Sequence, residues 1–323
     1  MGPGGGGRRR ARSTGYLMRA TVTAATRALY KTNVMRFLQW VADNNDGAAD
    51  LDEFDELLVD YVHELHATGA PKSRAERAVN GIIHYAPEFR WALPRSKQAV
   101  RGWYHLEGSE SYPPLSRELA VVVAVQMRRN GRPREAIGVL LAFDCMLRVG
   151  ELCALRRDDV ADDGDSRVST EHKGMFVRLV RTKTGNNKHV EVLDPTARRL
   201  VRQLVATAGP GDRLFPFSTE TFRRVMKATC SQLGLHAAPV DYVPHSLRHG
   251  GATYYYFVKR MPMEDVLYRG RWESTKSART YLHGGFGQLL RHDSVDHRRW
   301  TTLGHSIIVG GRLFTLLSLT QKH

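Results

Sequence analysis

Pro244-His245-Ser246-Leu247-Arg248-His249-Gly250, read with Gly270-Arg271-Trp272 and Thr280-Tyr281-Leu282-His283, is the stretch around which this chain is organised. His245 and Arg248 stand three residues apart, so on a helix an imidazole and a guanidinium face the same way. Trp272 comes next, and Tyr281 lies nine residues beyond it. Upstream are two more cations in suggestive settings. Arg148 sits in Leu147-Arg148-Val149-Gly150-Glu151-Leu152, and Lys183 in Arg181-Thr182-Lys183-Thr184-Gly185. Two arginines, a lysine, a histidine and a tyrosine form a metal-free set for attack on a phosphodiester.

The bulk composition agrees with a polyanionic partner. The chain of 323 residues carries a net charge of +15 and a pI of about 10.0. That excess favours nucleic acid first and an anionic membrane second. With 42% hydrophobic and 25% charged residues the composition is that of an ordinary soluble globular protein. No run approaches a membrane span, and the amino terminus lacks a signal peptide's apolar core. Cys145, Cys153 and Cys230 are odd in number and widely spaced, with no CxxC pair. A disulfide framework and a zinc site are therefore not expected. An intracellular setting is expected, in a nucleus or in a cytoplasm or nucleoid according to host. No cofactor and no metal are expected.

Residues 1–25 open with a glycine run and then Arg8, Arg9, Arg10 and Arg12, and read as a disordered basic tail. A phosphate-grasping arm, a nuclear address and a merely solvated tail all fit this composition. Residues 26–107 read as four helices. Val34, Phe37, Leu38 and Val41 define one apolar face. Phe54, Leu57, Leu58, Tyr61, Val62 and Leu65 recur at helical spacing, with Asp50 and Glu53 suited to the first turn and Gly69 to the end. Ser73-Arg74-Ala75-Glu76 reads as a capping box ahead of Ala78, Val79, Ile82 and Ile83. A shorter helix is expected over 96–104. No catalytic residue types cluster in this bundle, so its expected role is grip.

Residues 108–115 are turn formers and mark a linker. Beyond it, over 116–290, Ser116 and Pro133 open helices that run apolar up to Arg148, where a break and a short helix follow. A charge beside a buried helix needs a partner, and Glu151 or a bound phosphate each supplies one. Residues 175–180 and 188–193 read as a β-hairpin with Lys183 at its tip. Asp194-Pro195 caps the next helix, and a helix from Ser218 or Thr219 carries Arg223, Arg224 and Lys227 on one face. That face suits phosphate contacts or simple solvation. Residues 291–323 read as a weakly organised tail whose Phe314, Leu316, Leu317 and Leu319 dock on a neighbouring copy or stay unstructured.

In this order, these residues resemble the tyrosine recombinase (phage integrase) family over roughly residues 30–285. Arg148 with Glu151, Lys183 on a hairpin, His245-x-x-Arg248, and Trp272 nine residues before Tyr281 each match a piece of the family pattern. The Gly-Arg-Trp context is similar to the Cre-like tryptophan variant of the motif. The resemblance implies a mainly α fold with a small β-sheet (α+β): a helical core-binding (SAM-like) domain and a tyrosine-recombinase catalytic domain. It implies site-specific DNA recombination through a 3′-phosphotyrosine link, independent of metal and ATP, on double-stranded DNA and by a homotetramer. Tyr281 is then the nucleophile, Arg148 and Arg248 the phosphate clamps, and His245 the proton acceptor. Lys183 is the general acid, Trp272 a packing and N–H donor group, and Glu151 a support. Arg271 departs from the family's usual glycine. A type IB topoisomerase-like activity and a DNA-binding remnant of a mobile element stand as alternatives.

Overall fold

The computed structural model describes residues 20–44, 47–108, 112–163, 165, 167, 174–182, 185–236, 241–275, 278–279, 282 and 295–319. These fall into two compact units, residues 1–109 and 110–323. The described residues are mostly helical with one small sheet. None of their helices is long and apolar enough to cross a membrane. The basic tail lies outside the described residues apart from its last few positions.

Among its described residues the first unit has the α-helices α1 (Ala24–Asp43), α2 (Leu51–Ala67), α3 (Lys72–Tyr85) and α4 (Pro94–Glu107). Asp50 caps α2 by accepting from the N–H groups of Asp52 and Glu53, and Gly69 follows its end with φ at 67°. The core joins Phe37, Leu58, Tyr61, Val62, Ala78, Val79, Ile82 and Trp103. Buried Asp55 on α2 accepts from the Arg95 and Ser96 N–H groups at 2.8 and 3.0 Å, which satisfies the open start of α4. Two local readings need correction. Pro71 takes the cap position of α3, so Ser73 falls inside the first turn and caps nothing. Leu38 is half exposed, because Phe37 marks the buried line of α1 and Leu38 lies a hundred degrees round the helix from it, at the edge of the Val34–Phe37–Val41 side.

In the second unit, α5 (Arg117–Arg129) is capped by Ser116 and buried on nearly every side, so it is the central helix. Next come α6 (Pro133–Asp144) and the short α7 (Val149–Ala154). Strands β1 (Val160–Ala161), β2 (Met175–Thr182) and β3 (Gly185–Val192) pair antiparallel in that order. The hairpin is longer than its alternating core. Thr182 pairs with Gly185, leaving Lys183 and Thr184 between the strands and outside the described residues. Helices α8 (Pro195–Thr207) and α9 (Thr219–Gln232) follow, capped by Asp194 and Ser218.

The opening stretch becomes α10 (Pro244–Thr253), which runs into a π-turn over Tyr254–Val258 and then α11 (Met263–Gly270). Gly250 and Gly251 let α10 cross close to its neighbours. A Cβ on the first would collide with the Leu115 carbonyl, and one on the second with that of Phe143. This contact seats the His245–Arg248 turn against the ends of α5 and α6.

The stretch after residue 290 is no loose tail in its described part. It forms α12 (Val295–Val309) and α13 (Leu313–Leu317). Leu313 and Leu317 are buried in the unit's own core, and Phe314 lies 4.5 Å from the Arg199 guanidinium. Arg128 donates to the Ser318 carbonyl at 3.1 Å, and a Cβ on Gly304 would strike the Glu118 carbonyl. The apolar cluster thus packs on α5 and α8 of its own chain.

Candidate active site

The site is built where α6 ends. Its last residue is Asp144, Cys145 caps it, and Met146 takes a left-handed φ of 49° that turns the chain toward Arg148. Arg148 is the N-cap of α7, and Glu151 at the third helical position reaches back to it. One carboxylate oxygen of Glu151 accepts from the Arg148 backbone N–H at 2.8 Å, and the other from Arg148 Nη1 at 2.8 Å. Burial pushes the Glu151 carboxyl up, but Arg271 and Arg148 overcome it and hold the group below its usual range.

Arg148 and His245 face a common cleft of about 700 Å³, with Tyr112, Arg223, Arg224 and Lys227 along its walls. The three cations of α9 are exposed. Arg223 lies 3.6 Å from Glu220, and Lys227 4.0 Å from Asp241. Surface pairs of this kind contribute little and yield to a polyanion.

Arg248 is 1% exposed. It donates to the Met146 carbonyl at 2.6 Å and to the Gly270 carbonyl, and its guanidinium carbon lies 4.5 Å from the centre of the Trp272 ring. Gly270 is required there, since a Cβ would overlap the indole. The sequence therefore brings Arg148, Glu151, His245, Arg248 and Trp272 to one place. Tyr281, Lys183 and His283 lie outside the described residues.

The His245 ring packs edge-on to His249 at 4.7 Å and to Tyr112 at 5.9 Å. Burial, then Arg248 and Arg148, lower the His245 pKa to about 4. Burial, then His245 and Arg248, lower that of His249 to about 3, with a backbone bond to Tyr112 opposing them. Both rings are therefore neutral at pH 7. Because these values lie below the unfolded value of about 6.5, the folded form binds fewer protons there. The stability they support is complete above about pH 6.5 and is lost as pH falls toward the folded values, at about 1.4 kcal/mol per pH unit per group. Tm is expected to drop steeply between pH 6.5 and 4, and His249→Phe to flatten that drop. A calorimetric pH series checks it.

Four contributors were not visible as site residues in the sequence. Tyr112 belongs to the stretch read as linker, yet it packs on His245. Asp144, Arg269 and Arg271 form the floor. Asp144 accepts from the N–H groups of Leu193 and Asp194 at 2.9 and 3.1 Å, from Arg269 Nη2 at 3.1 Å, and from the Tyr255 hydroxyl. Burial pushes its carboxyl up; Arg269 and Tyr255 oppose that push. Arg271, whose side chain replaces the expected glycine, is buried and bonded to Glu151 at 2.8 Å. The turn before Trp272 is intact.

The phage integrase family model matches residues 120–286. This chain belongs to the phage integrase family. It is thus a member of a family of site-specific recombinases. Among solved structures, this integrase resembles a lambda integrase dimer bound to a COC′ core site. The TM-score is 0.56 at 15% identity, covering 82% of this chain and 73% of that one. It also resembles the Tn1549 transposon integrase in complex with circular intermediate DNA. That TM-score is 0.56 at 10% identity, covering 85% of this chain and 97% of that one. Both likenesses are of fold. No curated protein matches the sequence.

Proposed function

We propose that this integrase cleaves and rejoins double-stranded DNA at specific sites through a 3′-phosphotyrosine link at Tyr281, using neither metal nor ATP. The observation that carries the reading is the single cleft shared by Arg148, His245 and the three cations of α9, with Arg248 held against the same turn.

A phosphodiester is anionic, so a nucleophile is repelled until that charge is offset. Arg148 presents a planar fork to a nonbridging oxygen, and Arg248 adds positive charge at the base of the site. Their effect grows as the pentacoordinate transition state gathers charge. These groups do the electrostatic work that would otherwise call for a metal.

The Tyr281 phenol, with an ordinary pKa near 10, attacks phosphorus as its proton passes to neutral His245. A phosphate in the cleft draws the His245 pKa upward, which favours that transfer. The bond from phosphorus to the 5′ oxygen breaks, and Lys183 protonates the leaving oxygen, a step contributing roughly 10²–10⁴-fold. The ester is conserved in the 3′-phosphotyrosine link. A second 5′ hydroxyl reverses the step without ATP. Four copies on two paired sites complete an exchange.

The test uses a pool of nicked duplexes of random sequence. An adduct resistant to denaturant is expected with the parent protein, mapping to Tyr281, and none with Tyr281→Phe. Strand exchange between duplexes carrying the recovered site separates recombination from topoisomerase-like religation. A protein that shifts DNA but never forms an adduct is a binding protein, and the proposal then fails.

A further inference from the structure

We infer that Arg271 is a positioning residue for DNA cleavage: from the left-handed turn before Trp272 it grips Glu151 and the Met146 carbonyl, and through them seats Arg148 and Arg248. The inference rests on the recombinase reading above and names a residue that reading does not use.

Arg271 closes α11 with φ at 55° and ψ at 44°. Glycine takes this conformation at no cost, whereas a side chain carries a steric penalty. A side chain retained in such a place is held by what it touches. Here Arg271 is 5% exposed, and among the described residues its guanidinium donates to four oxygens. Nη1 bonds the carbonyls of Arg269 at 2.7 Å and Cys145 at 3.1 Å. Nη2 bonds the Met146 carbonyl at 2.7 Å and Glu151 at 2.8 Å.

Two of those acceptors are shared with the proposed phosphate clamps. Glu151 stands between Arg271, which is buried, and Arg148, which faces the cleft. Its carboxylate fixes both the backbone N–H and the guanidinium of Arg148. The Met146 carbonyl takes one bond from Arg271 and one from Arg248. Arg271 therefore fixes the carboxylate that orients Arg148 and one of the carbonyls that anchor Arg248. It also balances charge. Three guanidiniums converge here, and the buried carboxylate of Glu151 pairs two of them. Glycine at this position would relax the backbone but remove the second cation. Lysine would keep a charge but could not bridge Glu151 and Met146 with a planar fork.

The experiment measures single-turnover adduct formation on the DNA recovered from the random-sequence pool. Arg271→Gly and Arg271→Lys are compared in the parent and in an Arg148→Lys background, with mobility-shift affinity and circular dichroism alongside. In the parent each is expected to slow cleavage by about 10- to 100-fold while DNA affinity stays within about 3-fold. In the Arg148→Lys background the further loss should be clearly smaller than in the parent, because the route through Glu151 is cut and only the one through the Met146 carbonyl and Arg248 remains. Parental rates in both variants, or equal losses in the two backgrounds, overturn the inference. So does unfolding of both variants, which would make Arg271 a residue of the fold alone. A parent protein that forms no adduct instead overturns the recombinase reading, and the inference with it.

Discussion

Asp144→Ala is expected to destabilise the second unit by at least about 3 kcal/mol, because one partner of a buried ion pair is removed and the other is left uncompensated. For a unit of this size that corresponds to a fall in Tm of roughly 6–12 °C. Asp144 is 1% exposed and collects two backbone N–H groups at the start of α8, the Arg269 guanidinium and the Tyr255 hydroxyl. Alanine removes the carboxylate from all four at once. Arg269 keeps its bonds to the Asp144 carbonyl at 2.8 and 3.0 Å, but its charge loses its carboxylate. Asp144→Asn retains the shape and part of the acceptor capacity, so it should melt between parent and alanine variant. Thermal unfolding followed by circular dichroism decides. An alanine variant melting within a degree of the parent would show that the network carries no net stability.

Arg248→Ala is expected to slow covalent adduct formation by about 10²–10³-fold, through loss of a preorganised positive charge beneath the developing one. The effect should fall on the chemical step. The exposed cations of α9 remain to hold DNA, so affinity should change far less. Arg248→Lys is the sharper test. It keeps the charge but loses the plane that spans the carbonyls of Met146 and Gly270 and lies near the Trp272 ring. Single-turnover cleavage under saturating DNA measures both variants. A lysine variant cleaving at the parental rate would mean that charge alone suffices and the fork geometry is dispensable.

Helices were legible wherever one face repeats cleanly, as at Phe54 to Leu65, and wherever a cap stands next to a proline, as at Asp194-Pro195. Local cues misled where a stronger neighbour competed. Ser73 looks like a cap, but Pro71 already starts α3. The two-residue strand β1 is too short to alternate, so nothing in its sequence announces it. The histidine–arginine turn could be read from spacing because both residues share one helix. The floor could not. Asp144 and Arg269 lie 125 positions apart, and no local pattern links residues that only tertiary folding brings together. Arg271 was visible only as a departure from the family's usual glycine. Its side chain makes contacts that the turn alone does not reveal. The helices of the carboxy-terminal stretch escape the sequence pattern for the opposite reason. Their few apolar residues form no long stripe, yet they fill gaps left by α5 and α8.

The docking of α12 and α13 onto α5 has a consequence for how the chain is made. Arg128 and the Ser318 carbonyl it bonds are 190 positions apart. At roughly 5–20 residues per second, synthesis leaves the central helix without part of its cover for on the order of ten seconds or more. During that interval a valine-rich helix stays wet on one flank, and only release of residues 295–317 closes it. A nascent chain stalled before that point carries a sticky, unfinished core and is a natural client for a chaperone.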